Sequence, residues 1–412
     1  MAAADDTSPI TTKALVARGP FSQGKWAVED VTLRALKPDE LVVEIIASGI
    51  CHTDLHCGNT PDDQGVPAVY YPRVLGHEGS GYVRRVGSAV TGVAPGDPVL
   101  LSFSYCGNCH VCRTGPPSHC KTFFDINFMG EPVFFPAAAD EAKGGDDPSI
   151  GGRFFGQSSF AKHTIVSDKC VVNVAGLGLE RDDLKLLAPL GCGLQTGSGT
   201  VVNVIDAGED DEIAVVGMGG VGLAAVMVRK AGIQALPSCK TIIGIDRIQS
   251  RLDLAKSLGA THTINTSTLP PSSTSSSSPE ADDDDPLISA IRAATTDRLG
   301  PTACVDTSAH PPLVAAQLAA TRYMGRVVQV GTGMPDARLS IHMQSFMVSG
   351  KQYLGAVQGH CRPREYIPRM IRWWRDGAFP VERLVAFFDV ADFAEAVEVM
   401  GKGDVVKPII VW

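Results

Sequence analysis

Ile213-Ala214-Val215-Val216 runs directly into Gly217-Met218-Gly219-Gly220-Val221-Gly222, and helical spacing follows over residues 221–230. No other stretch of this 412-residue chain restricts its fold as strongly. A short unbroken apolar run is expected of a parallel strand covered on both faces. Glycines at the first, third and sixth places of the next segment suit a tight strand-to-helix turn, where backbone N–H groups can approach a pyrophosphate at the helix N-terminus. Residues 241–245 read as the next strand, and residues 251–258 as a helix with Gly259 as its C-cap. Cys304-Val305-Asp306 and residues 326–330 read as later strands. Strands alternating with helices predict a doubly wound α/β domain. Asp246 closes the second strand, where a carboxylate can hold adenosine ribose hydroxyls and repel a 2′-phosphate. NAD(H) is therefore expected over NADP(H), with Arg247 and Arg251 nearby softening that preference.

The first 190 residues have another style, rich in Val, Gly and Pro. Residues 41–46 and 81–86 read as strands, and Pro95-Gly96-Asp97-Pro98 as a turn into Val99-Leu100-Leu101. A β-rich, barrel-like domain is predicted there. The last 55 residues, with helical patterns over 364–377 and 392–400 and a closing strand over 405–411, are expected to pack back onto it. Two segments interrupt the scheme. Residues 267–286 hold a serine run and Asp282-Asp283-Asp284-Asp285, a composition that cannot bury a core, so a disordered surface insertion is predicted. Residues 130–152 read as a long loop near the cysteines.

Eleven cysteines are present, and Cys106, Cys109, Cys112 and Cys120 fall close together. Without a secretion signal, that spacing points to metal rather than disulfides. Four thiolates close a tetrahedral shell around one Zn²⁺ and leave no open place, so the role is structural. A second donor set is more open. Cys51-His52-Thr53-Asp54-Leu55-His56 and Gly76-His77-Glu78 supply a thiolate and an imidazole, which suit Zn²⁺, with a hydroxyl and a titratable histidine beside them. Cys192 supplies a third donor at the seam between the two halves. Cys51, His77 and Cys192 would leave one position for substrate, as catalytic zinc sites do. Cys57, Cys170, Cys239, Cys304 and Cys361 read as small buried hydrophobes.

Composition narrows the partners. The net charge of −9 disfavours a polyanionic nucleic acid. No apolar run of about 18 residues marks a membrane span. Residues 1–9 resemble neither a secretory signal nor a transit peptide, so a cytoplasmic address is expected.

Together these motifs resemble a zinc-dependent medium-chain alcohol dehydrogenase over nearly the whole length. The resemblance implies a GroES-like β-rich catalytic domain from residues 1–193 and 358–412, and a Rossmann domain from residues 194–357. It implies two Zn²⁺ per chain, the first on Cys51, His77 and Cys192 and the second on Cys106, Cys109, Cys112 and Cys120. Glu78 matches an acidic neighbour of the catalytic metal, Asp54 the carboxylate that orients the histidine ligand, and Thr53 and His56 a proton relay. His52 and Lys407 match pyrophosphate contacts, and Thr196, Val221 and Val330 contacts of the cofactor. The implied reaction is reversible, NAD(H)-linked hydride transfer between a primary alcohol, aromatic or allylic, and its aldehyde, in a homodimer or homotetramer. A carbonyl reductase using the same zinc site, or a zinc-binding scaffold, are the alternatives. Residues 102–104 and 154–160 resemble the aryl- and benzyl-alcohol branch, with Phe103 as a pocket residue.

Overall fold

The computed structural model describes residues 8–62, 69–137, 149–230, 239–271, 285–334 and 336–412. Its chain separates into two compact units. One comprises Met1–Cys192, Arg362–Ile371 and Val381–Trp412; the other comprises Gly193–Cys361 and Arg372–Pro380.

The first unit is built from β-structure. A closed barrel runs, in spatial order, through Thr11–Ala17, Trp26–Leu33, Glu131–Pro136, Ile150–Gly152 and Arg73–Val74. A second sheet runs through Val171–Asn173, Pro98–Leu101, Gly79–Val86, Glu40–Gly49, Lys407–Val411 and Val385–Asp389, with His163–Ser167 also pairing to Glu40–Gly49. Leu41, Val43 and Ile45 alternate along Glu40–Gly49 and are fully buried with Val83, Val99, Leu101 and Val166. The strand is buried on both faces, because Val42, Ile46 and Ala47 are buried as well and Val42 packs into the other core cluster. The C-terminal strand pairs antiparallel to the same element, Ile409 with Gly49 and Val411 with Ala47. That pairing carries Lys407 to the end of Glu40–Gly49, next to Ile50 and Cys51.

Segment 130–152 corrects the sequence reading of a long loop. Glu131–Pro136 and Ile150–Gly152 are barrel strands, because Val133, Phe134 and Ile150 are apolar enough to bury completely in the barrel core. Residues 138–148 between them lie outside the described residues.

The second unit carries a parallel sheet in the order His262–Asn265, Thr241–Asp246, Glu212–Val216, Ala303–Asp306, Arg326–Gln329 and Gln352–Gly355. The strand order reverses beside Glu212–Val216, the topological switch point at which open α/β sheets bind ligands. Helix Gly220–Lys230 follows that strand at once, and helix Gln249–Leu258 follows the next. Gly259 caps the latter, its N–H donating to Ala255 O at 3.1 Å with φ at +135°. Most of the serine- and aspartate-rich stretch, residues 272–284, lies outside the described residues. Among the described residues, no helix is long and apolar enough to cross a membrane.

Candidate active site

Cys51 ends strand Glu40–Gly49 and its short exit, and is the N-cap of helix His52–Asn59. Asp54 stands three places on, and its carboxylate accepts the Cys51 N–H at 3.0 Å, a short-range closure that holds the first helical turn. The same carboxylate accepts the Gly76 N–H at 3.0 Å and lies 2.9 Å from His77 Nδ1. Asp54 therefore ties the segment carrying Cys51 to the segment carrying His77. It is fully buried, as is His77. With Nδ1 engaged by Asp54, the other ring nitrogen, Nε2, is buried with no hydrogen-bond partner. A buried polar atom left this way costs free energy unless a ligand satisfies it.

The ligand it faces is indicated by its neighbours. One donor atom each of Cys51, His77, Glu78 and Cys192 lies within 4.8 Å of the others. Two thiols and an imidazole nitrogen around one point match the donor set of a catalytic zinc. Electrostatics fit as well. The Cys51 thiol is held well below its ordinary range by a hydrogen bond from Cys192, with the positive charges of Lys407 and His77 helping against burial. Cys192 is pushed well above its range by the same hydrogen bond and by burial. Burial disfavours the charged imidazole of His77, but Asp54 and Cys51 outweigh it and raise its pKa well above 6.5. Divalent metal binding to such a set releases protons.

Glu78 and Lys407 form a buried pair beside these donors. Lys407 Nζ donates to Glu78 Oε1 at 2.9 Å and to Ile50 O at 3.1 Å. Burial raises the Glu78 carboxyl and the lysine charge offsets part of that. Lys407, expected as a pyrophosphate contact, is buried on the terminal strand with its ammonium on Glu78.

Thr53 and His56 follow on the same helix at i and i+3, a spacing that puts them on one face. Thr53 is half-buried and His56 exposed, as is His52.

The second cysteine set also comes together. Single sulfurs of Cys106, Cys109, Cys112 and Cys120 lie within 4.8 Å of one another. The N–H groups of Cys109 and Cys106 point to Cys106 Sγ and Cys120 Sγ, each at 3.4 Å. Backbone N–H groups of Lys121 and Cys112 bring the Cys109 thiol down to about 6. Four sulfurs in a backbone N–H cradle suit a closed structural zinc shell. Cys57, Cys170, Cys239, Cys304 and Cys361 are all buried thiols.

In the other unit, Gly217 has φ +92°, and a Cβ there would meet Thr307 Oγ1 at 2.2 Å. A Cβ on Gly222 would overlap the Gly217 carbonyl oxygen at 1.8 Å, whereas one on Gly219 meets nothing within 4 Å. The turn is thus packed tightly on its protein side and open at Gly219, directly before the N-terminus of helix Gly220–Lys230. That is the shape a pyrophosphate cradle needs. Asp246 closes strand Thr241–Asp246. Its Oδ2 accepts the Met218 N–H at 2.7 Å, and its Oδ1 accepts those of Arg247 and Ile248 at 2.7 and 2.9 Å. It therefore braces the glycine turn as well as standing where a ribose carboxylate is expected. Arg247 is exposed and Arg251 half-buried. Thr196 is buried in helix Gly193–Gly199, and Val330 donates its N–H to Asp306 O at 2.9 Å.

Aromatic rings around His77 were only partly legible in the sequence. Phe155 stacks on the imidazole with ring centroids 4.4 Å apart and 23° between planes, and Phe154 meets it edge-on at 5.5 Å. Phe103, suggested as a pocket residue, is fully buried against Tyr105 and Phe123. Arg73, 1% exposed, was missed. Its guanidinium lies over the rings of Tyr70 and Phe154 and donates to Phe128 O at 3.3 Å.

Comparison with known proteins agrees with this chemistry. A model of the alcohol dehydrogenase GroES-like domain matches residues 37–176, and one of the zinc-binding dehydrogenase domain matches residues 220–376. A geraniol dehydrogenase of Castellaniella defragrans is 35% identical over 94% of this chain and 95% of its own. The structure of a benzyl alcohol dehydrogenase from Acinetobacter calcoaceticus superposes with a TM-score of 0.82 at 31% identity, covering 98% of this chain and 99% of that one. An alcohol dehydrogenase zinc-binding domain protein from Burkholderia ambifaria gives 0.83 at 31% identity over the same shares. With two thiols and an imidazole gathered on one half, a phosphate-shaped glycine turn on the other, and relatives of this similarity along its full length, the chain belongs to the zinc-dependent medium-chain alcohol dehydrogenases.

Proposed function

We propose that this enzyme oxidises primary allylic or aromatic alcohols to aldehydes with NAD⁺, reversibly, at a metal held by Cys51, His77 and Cys192. The observation that carries the reading is the convergence of those three donors with Glu78 within 4.8 Å. When bound, Zn²⁺ supplies a Lewis acid that lowers the pKa of an alcohol hydroxyl, and the nicotinamide supplies the hydride acceptor. The chain's own groups do the rest. Asp54 fixes the His77 ring so that Nε2 is presented to the metal. The Thr53 hydroxyl accepts the alcohol proton as it gives up its own, and exposed His56 receives that proton by way of the nicotinamide ribose of the bound cofactor and releases it to water. Glu78 and Lys407 keep a compensated charge pair beside the thiolates. The turn at Gly217, Gly219, Gly220, Val221 and Gly222 takes the cofactor pyrophosphate, and Asp246 the adenosine ribose. Cys106, Cys109, Cys112 and Cys120 hold a second, structural Zn²⁺.

The alcohol class is supported by two relatives whose names specify geraniol and benzyl alcohol. A spectrophotometric screen following NADH with benzyl, cinnamyl, allylic terpenoid and short aliphatic alcohols tests the reading. The benzylic and allylic alcohols should show the highest kcat/KM. A clear preference for ethanol would overturn the substrate class, and inactivity on every primary alcohol would overturn the reaction.

A further inference from the structure

Turn 153–158 is the most strained piece of backbone near the site. Arg153, Phe155, Gly156 and Ser158 have φ of +65°, +53°, +75° and +54°, and three of these four are not glycine. A bulky residue in the left-handed region is an outlier that persists only where its surroundings over-determine it. The surroundings do so here. Ser158 Oγ donates to Val74 O at 2.7 Å and accepts the Phe154 N–H at 3.0 Å. The N–H groups of Ser159 and Phe160 donate to Gly76 O and Leu75 O at 2.9 and 3.0 Å. Thr164 Oγ1 donates to Gln157 O at 2.6 Å, and Arg153 is paired with the buried Glu40.

Two side chains leave this turn towards one residue. Phe155 lies flat on the His77 ring at 4.4 Å. Gln157, fully buried, donates its Nε2 to His77 O at 2.9 Å and to Ser102 O at 2.8 Å, and its Oε1 accepts the Gly79 N–H at 3.1 Å. Phe155 makes this contact from a left-handed backbone. Phe123, Phe128 and Phe154 pack around the same ring, so its position is fixed on every side.

We propose that turn 153–158 is a strained clamp that positions the imidazole of His77, with Phe155 on its face and Gln157 on its backbone. Asp54 fixes one ring nitrogen; the clamp removes the remaining freedom to rotate and slide, so Nε2 stays aimed at the two thiols. Both are positioning residues, and their role rests on the reading of His77 as a metal ligand.

The test follows zinc release from the purified holoenzyme into a chromophoric chelator, with Cys51→Ser used to assign the phase that belongs to Cys51, His77 and Cys192. Phe155→Leu keeps apolar volume but loses the flat ring, and Gln157→Ala removes the tether. Each should release that zinc about tenfold faster, the lower end of the effect of removing a group that orients a metal ligand, and leave release from the four-cysteine set unchanged. Phe155→Tyr, which keeps the ring, should hold the wild-type rate. Phe134→Leu, a barrel-core truncation, should leave both phases within twofold. The clamp is refuted if Phe155→Leu releases zinc within twofold of wild type, if Phe155→Tyr releases as fast as Phe155→Leu, or if Phe134→Leu is as fast at the same loss of Tm. NADH formation is measured in parallel on the wild type. A protein with the expected release phases but no alcohol oxidation would contradict the proposed function and leave the clamp standing; normal oxidation with unchanged release would do the reverse.

Discussion

Asp54 shows how one side chain can settle both local structure and chemistry. It accepts hydrogen bonds from Cys51 N–H and Gly76 N–H and engages His77 Nδ1, so helix start, strand exit and ligand orientation share one carboxylate. Asp54→Asn should keep the shape but turn one acceptor into a donor. We expect zinc affinity at this site to fall by about tenfold to a hundredfold, measured by chelator competition, with kcat falling alongside. Affinity equal to wild type would show that Asp54 only caps the helix. What was readable in the sequence at this scale follows from chemistry. Cys51, His77 and Cys192 are residue types with few other uses near one another, and the structure brings them together. Phe155 and Lys407 were different. A phenylalanine carries no sign that its backbone is left-handed, because the tertiary hydrogen bonds around it impose that state. Lys407 meets Glu78 across 329 positions only after the last strand pairs with Glu40–Gly49, and no local pattern encodes that pairing.

Among the elements, the glycine turn is the one whose form is most nearly dictated by its own residues. A Cβ at Gly222 would lie 1.8 Å from the Gly217 carbonyl oxygen, so Gly222→Ala must move the helix N-terminus away from the turn. KM for NAD⁺ should rise more than tenfold while Zn content stays constant; an unchanged KM would disprove the cradle. Asp246→Ala removes an acceptor from Met218, Arg247 and Ile248 as well as the proposed ribose partner. Losing charged hydrogen bonds worth about 1.5–3 kcal/mol each should weaken NAD⁺ binding at least tenfold and narrow the NAD⁺ to NADP⁺ ratio of kcat/KM. A ratio identical to wild type would remove Asp246 as the selector. The four-cysteine element should behave otherwise. Cys109→Ser should lower Tm by about 5 °C or more and cut metal content by one Zn per chain, because closed zinc shells contribute folding energy. An unchanged Tm would contradict a structural role. Alternating strand and helix made the parallel sheet readable beforehand. Segment 130–152 misled because its strands are short and rich in Pro and Gly, and only burial of Phe134 and Ile150 in the barrel reveals them.

For the molecule as a whole, stability against acid should depend on Glu40. It is fully buried at the start of Glu40–Gly49 and is held by Arg34, Arg153 and the Lys37 N–H. Burial pushes its carboxyl up, but these partners outweigh burial and leave it below 4.5. A carboxylate whose folded pKa is depressed stabilises the protein above its unfolded pKa, and that contribution disappears as pH falls through the folded value. Glu40→Gln should therefore cost about 3 kcal/mol at pH 7 by leaving buried arginine charge uncompensated, and the gap to wild type should narrow as pH falls below the ordinary carboxylate range and close once Glu40 is protonated in the folded protein. A gap that persists undiminished at pH 3.5 would contradict the charge assignment. Alcohol oxidation by the proposed mechanism requires Cys51, His77 and Cys192 to hold the metal. The most direct test of that requirement is the initial rate of NADH formation from benzyl alcohol by wild type and Cys51→Ser, side by side at equal protein concentration. Turnover by the wild type and its loss in the folded Cys51→Ser protein are predicted. A Cys51→Ser enzyme that turns over at the wild-type rate would contradict the metal site and with it the proposed mechanism.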